Sequence, residues 1–356
     1  MKKFYYTPGP SELYFTVEQH LREAVQNGIG SIHHRSDTFH EIYDRAVKNL
    51  RLLFGFGDEY EVLFLSSASE IMERIIQNTV QEKSAHLVNG AFSERFYNFS
   101  EKLGKEAIRV DSEWGSFPNI PDDIQNSELI ALTLNETSTG VSAPIEKINQ
   151  LRSLYPDTLI AVDVVSSAPY DQLDFEKTDM VFLSVQKGFG LPPGLGVLLI
   201  NKHARKKAEE MHSINPHIPG FHSFPVLIKN AIKRETTETP NTLAIYLLSK
   251  VTEDMLTKGL EQIRREINYK AAVLYQAMEE APLLSPFVQD KNLRSKTVIV
   301  GVTDHSEKIL DAFDKKGILL GKGYGKFKNS HIRISNFPTH SKEQVEQIAD
   351  LLVELK

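Results

Sequence analysis

Two ionisable residues stand where apolar runs stop. In IAVDVVSS, Asp163 closes a β-branched run; in FLSVQKGFGLPPGLG, Lys187 follows the next run and opens a loop of glycines and prolines. A carboxylate or an ammonium group buried alone is costly, so each needs a partner or a task. At the carboxyl ends of strands, where open α/β sheets bind ligands, this pair has a specific chemical use. A lysine amine forms an imine with an aldehyde, and an aspartate holds a pyridine nitrogen protonated so that the ring accepts electrons. Those are the needs of pyridoxal phosphate. A plain salt bridge uses the same two residue types, and a single strand-end aspartate commonly caps the turn after it. The glycines and prolines behind Lys187 turn the chain sharply and keep bulk away from a reactive amine.

A third stretch, FLSSASEIMERI, breaks from an apolar run into small residues at Ser66–Ser69 and then starts a helix. Free N–H groups and the positive end of the helix dipole make such a start an anion site. Ser67 and Glu70 also fit a capping box, which needs no ligand at all.

Elements must carry these residues to one place. Apolar, β-branched runs predict strands over 61–65, 85–88, 107–110, 129–134, 158–164, 180–185 and 196–200. Amphipathic periodicity predicts helices between most of them, among them 71–80, 91–103 and 145–154. Strands alternating with helices argue for an α/β fold with a mainly parallel, seven-stranded sheet. The last two runs are too close for a parallel crossover, which needs a dozen or more residues, so one strand is expected to be antiparallel. After Leu227 the texture changes to long helices, 242–256 and 260–279. A compact tail follows: strand 297–302, helix 307–316, strand 331–335 and helix 342–355. The expected division is a large domain over 16–255 and a smaller α/β domain from 1–15 with 256–356.

The bulk numbers exclude several classes. At 356 residues the chain exceeds the usual size of a single core. A net charge of −6 gives no basic face for nucleic acid. No window is apolar enough to span a bilayer, and the lysines at positions 2 and 3 precede no apolar stretch of a signal peptide. Cysteine is absent, which removes disulfides, thiolate nucleophiles and thiolate metal sites and suits a reducing cytoplasm. A soluble cytoplasmic enzyme or binding protein is the expectation, with no metal site expected.

Taken together, the stretches resemble the class V aminotransferase branch of fold-type I pyridoxal-phosphate enzymes. YTPGP at 6–10 is similar to the family's N-terminal segment and HRSDTF at 34–39 to its HRS-x-x-F motif. NGAFSERF, NETSTGV at 135–141, ETPNTLAIYLL, HIRIS and the Asp163…Lys187 pair follow in the family's order. The resemblance implies roles. Lys187 would carry the cofactor and move the substrate proton, and Asp163 would pair with the pyridine nitrogen. Phe92 would stack on the ring where the family often has Trp, and Thr137 would donate to the phenolic oxygen. Ala68, Ser69 and Gln186 would hold the phosphate, with Thr239 reaching it from a second subunit of a homodimer with shared active sites. Arg333 would clamp the α-carboxylate as a bidentate fork, and His34 with Arg35 would meet a substrate phosphate.

Core packing for Phe92, a helix cap for Thr239 and a surface strand position for Arg333 are the structural alternatives. The implied substrates are small amino acids and 2-oxo acids. Within the family the phosphoserine enzymes come nearest, implying ping-pong exchange between O-phosphoserine and 2-oxoglutarate in serine biosynthesis. The rivals are an alanine– or serine–glyoxylate transaminase and a non-catalytic binding protein on the same fold. Gly325-Lys326-Phe327-Lys328 stands where the phosphoserine enzymes have a second His-Arg pair. A desulfurase would need a cysteine.

Overall fold

A computed structural model describes residues 3–121, 124, 126–215 and 220–355. Seven strands form one sheet in the order Tyr60–Leu65, Gly196–Asn201, Met180–Ser184, Leu159–Asp163, Leu129–Thr133, Lys83–Val88, Glu106–Asp111. Six run parallel, and Gly196–Asn201 runs antiparallel to both its neighbours, as the short link from Val185 requires. The three strands ending in Thr133, Asp163 and Ser184 are buried at every residue, because helices cover both faces and only Val, Ile, Leu and their like fit there. On the edge strand Glu106–Asp111 the exposed residues are the charged Glu106, Arg109 and Asp111, which discourage pairing with another chain.

This topology has a direct consequence for chemistry. The carboxyl ends of Tyr60–Leu65, Lys83–Val88, Leu129–Thr133, Leu159–Asp163 and Met180–Ser184 all reach the same edge of the sheet. Asp163 pairs in register with Thr133 on one side and Phe182 on the other. The chain leaving each of those five strands therefore enters one crevice.

A second sheet has five strands in the order Phe4–Tyr6, Ile318–Lys322, His331–Ser335, Val298–Val302, Ser285–Pro286. Three of them lie outside the runs that periodicity marks. Phe4–Tyr6 and Ser285–Pro286 are too short to give a period, and Ile318–Lys322 is bracketed by Gly317 and Gly323. Phe4–Tyr6 pairs parallel with Ile318–Leu320, which ties the N-terminal segment to the C-terminal sheet. The helix Leu260–Glu280 serves two cores: Ile263 and Ile267 pack into the large one, and Ala271, Leu274 and Met278 into the smaller. One continuous amphipathic stripe crosses from lobe to lobe, so the sequence carries no break there. No described helix is long and apolar enough to cross a membrane.

Candidate active site

Lys187 lies three residues beyond the strand Met180–Ser184, in a loop closed by Gly190 N donating to Lys187 O (2.8 Å) and Leu191 N to Val185 O (3.1 Å). The loop sits tight against the turn after Asp163: a Cβ on Gly188 would lie 1.8 Å from Ala168 O, so no side chain fits. The N-terminal segment closes from the other side, where a Cβ on Gly9 would lie 2.8 Å from Lys187 Cε. Only 6% of Lys187 is exposed. Its Nζ donates to Thr137 Oγ1 (3.0 Å) and lies 5.0 Å from the centre of the Phe92 ring.

Asp163 is buried, and its Oδ1 accepts from Val165 N (2.8 Å). Burial works on both groups. It holds the Asp163 carboxyl above and the Lys187 amine below their usual ranges, each partly offset by the opposite charge of the other. A lysine in that state loses its proton far more readily than one in water.

The helix Ala68–Thr79 starts as its small residues suggest. Ser67 accepts from Glu70 N (3.2 Å), while Glu70 reaches back to Ser66 N (2.9 Å) instead of completing the box at Ser67. The helix Ala91–Lys102 presents Phe92 in its first turn and is anchored by Glu136, which is fully buried. That carboxylate accepts from Ser93 N (2.9 Å), Ser93 Oγ (2.9 Å) and Ser138 Oγ (2.7 Å). An acid at a helix N-terminus is stabilised by the dipole. Here it also pins the backbone on either side of Thr137.

Seven of the expected residues line one cavity of about 130 Å³: Ala68, Ser69, Phe92, Thr137, Asp163, Gln186 and Lys187. Phe92 thus faces the cavity, with Tyr324 tilted against it at 5.2 Å. Arg333, on the strand His331–Ser335, stays at the rim. Its Nε donates to Lys322 O (2.7 Å) and its Nη1 to Thr137 O (3.4 Å), and its guanidinium lies 5.4 Å from the Tyr324 ring centre.

His34, Arg35 and Thr239 do not line this cavity. Arg35 faces Glu235 (3.6 Å), as does His40 (3.8 Å), and Thr239 is exposed four residues further along that same loop. His34 stacks on His33 with its Nε2 buried and unpartnered. The Arg35–Glu235 contact brings the segment of His34 and Arg35 to the loop that carries Thr239, and none of the three lines the cavity of Lys187.

Three residues of the site were not marked by sequence: Glu136, Arg95 and Tyr324. Each acts on partners far along the chain, and only Glu136 left a trace, as an acid inside the otherwise neutral NETSTGV. A larger, open cavity of about 600 Å³ lies outside, sharing Arg95 alone with the inner one, and it contains no Lys–Asp pair.

This arrangement fits pyridoxal phosphate by its donor set. It offers a buried amine of lowered basicity, a buried carboxylate, a ring face, hydroxyls at a helix start, and the Gln186 amide, whose N–H can donate to a phosphate and whose buried Oε1 accepts from no protein group. The Aminotransferase class-V family model matches residues 7–348. The chain belongs to the class-V aminotransferases. As a class-V aminotransferase it is a transaminase, and membership implies pyridoxal phosphate as cofactor. A solved phosphoserine aminotransferase from Cytophaga hutchinsonii is 45% identical with a TM-score of 0.96, over 99% of both chains. The phosphoserine aminotransferase of Rhodococcus opacus is 28% identical over 351 residues, covering 96% of this chain and 91% of that one. An alanine–glyoxylate aminotransferase from Nostoc, 20% identical with a TM-score of 0.85 over 100% of this chain and 95% of that one, shares the fold.

Proposed function

We propose that this class-V aminotransferase moves the amino group of O-phosphoserine to a 2-oxo acid, 2-oxoglutarate in the full cycle. The carrying observation is the state of Lys187: a buried amine of lowered basicity, held by Thr137 in a cavity that it shares with Asp163. The substrate assignment is supported by the phosphoserine aminotransferase that is 45% identical over nearly the whole chain.

When bound, pyridoxal phosphate supplies an aldehyde that captures the amino group and a ring that accepts the electron pair left by the departing α-proton. The protein's own residues do the rest. Lys187 Nζ holds the cofactor at rest and, once free and uncharged, takes and returns the proton. Asp163 keeps a positive charge on the ring nitrogen, and Phe92 covers the ring face. Thr137 orients the ring oxygen, while Ala68, Ser69 and Gln186 receive the phosphate. Arg333 turns toward the α-carboxylate from the rim.

His34, Arg35 and Thr239 serve a second copy's cavity, which accounts for their absence from the lining of their own. The active form is accordingly a homodimer. The division into a 16–255 domain and a 1–15 with 256–356 domain belongs to the same reading, since Arg333 and Tyr324 approach the cavity from the smaller sheet.

Half-reactions with O-phosphoserine, alanine and serine, followed by loss of the cofactor's visible absorbance, test the assignment. O-phosphoserine is expected to convert the cofactor fastest. Alanine reacting far faster would overturn it.

A further inference from the structure

The inner cavity is lined by two cations, and the reading above employs only Lys187. The other is Arg95, one helical turn after Phe92, so a single helix face delivers both. Its Nη1 donates to Ser69 Oγ (3.3 Å), its Nη2 to Tyr324 Oη (3.0 Å), and its Cζ lies 5.2 Å from the Phe92 ring centre. All three partners are neutral. No described carboxylate forms an ion pair with Arg95, whereas its neighbour Arg109 pairs with both Glu94 (3.0 Å) and Asp111 (2.8 Å). A guanidinium on a cavity wall with no carboxylate partner gains most from an anion that enters the cavity, since a buried charge is costly until it is paired.

The cofactor's phosphate brings up to about two negative charges. Against it the helix start at Ser67 offers N–H groups and roughly half a positive charge. The remaining lining residues near Ser69 contribute hydroxyls and the Gln186 amide but no cation. Lys187 is committed to the aldehyde. We infer that Arg95 is the cation that neutralises the cofactor's phosphate, with Tyr324 as the residue that holds its guanidinium in position from the smaller sheet. The inference rests on the cofactor assignment above.

The test compares pyridoxal phosphate with pyridoxal, which lacks the phosphate, in equilibrium titrations of the cofactor-free protein read by absorbance. Arg95→Met is expected to weaken pyridoxal phosphate by roughly ten- to a hundredfold and pyridoxal by less than about twofold. Arg95→Lys recovers part of the loss, because it restores the charge without the fork. Tyr324→Phe loses a few-fold, again for the phosphorylated ligand alone. Equal weakening of both ligands in Arg95→Met would overturn the inference in favour of a packing role. Unchanged affinity for both, with weaker binding of O-phosphoserine to the loaded enzyme, would assign the charge to the substrate instead. Failure of the unaltered chain to take up pyridoxal phosphate at all would overturn the functional reading and this inference with it. A shift confined to the phosphorylated ligand separates the two.

Discussion

Lys187 and Lys270 are both buried, with 6% and 1% exposed, and burial lowers the basicity of both, that of Lys270 to about 7. Their surroundings differ in how many donors are used. Lys270 Nζ donates to Phe337 O (2.9 Å) and His340 O (2.8 Å), both buried. It fastens the helix Leu260–Glu280 to the turn before the last helix, Lys342–Glu354. Lys187 Nζ has one neutral hydroxyl partner and faces open space. A lowered pKa thus marks burial in both places, and only donors left facing a cavity mark chemistry.

The comparison breaks most sharply by removing each amine. Lys187→Ala should reduce turnover by roughly 10²–10⁴-fold, the span of a lost acid–base group. Its urea-unfolding midpoint should hold or rise, because a buried amine with one neutral hydroxyl partner contributes little to stability. Retained turnover would refute the role given to Lys187. Lys270→Met should do the reverse. Two buried carbonyls lose their donor, costing about 2–4 kcal/mol in unfolding free energy, while turnover per folded molecule stays within about twofold. A Lys270→Met protein that is stable but inactive would erase the distinction.

Sequence could reach one side of this contrast and not the other. Asp163 and Lys187 were legible because each interrupts a pattern: a charge at the end of an apolar run, then glycines where Ala168 leaves room for nothing else. The seven-stranded sheet was legible for the same reason, since its central strands are buried on both faces and admit few residue types. Lys270 sits in YKAAVLYQ on a helix whose exposed face is full of charges, so nothing local sets it apart. Arg95 is likewise one more charged residue of SERF until Ser69 and Tyr324 are brought to it. Strand Ile318–Lys322 became a strand because Phe4–Tyr6 and His331–Ser335 pair with it, a tertiary cause that no window contains. His34, Arg35 and Thr239 carry a recognisable pattern, yet none of them lines the cavity that holds Lys187.

The smallest predicted effect tests the structural lysine's neighbour. His340 is buried and stacked on Tyr6 at 4.1 Å. Its Nδ1 accepts from Phe337 N (3.0 Å) and its Nε2 faces Tyr5 O (3.1 Å), so the ring is held neutral: a second proton would eject the Phe337 donor. Burial, reinforced by the Lys270 charge, pushes its pKa down to about 3. The sign follows from linkage. The unfolded chain takes up a proton near pH 6.5 and the folded chain resists it, so this contribution is complete above that pH. It falls by about 1.4 kcal/mol per pH unit below it. Asp163 and Asp171, whose carboxyls burial raises, act in the opposite direction over the same interval. The bare pH profile therefore mixes signs, whereas a difference between variants does not. On acidification from about pH 7 to about pH 5, the unaltered protein should lose about 2 kcal/mol more than His340→Asn, measured as urea-unfolding free energies. Parallel profiles would mean that His340 is protonated in the folded state. The enclosure around Lys270 would then be open to water, leaving the two lysines no longer distinguished by their surroundings.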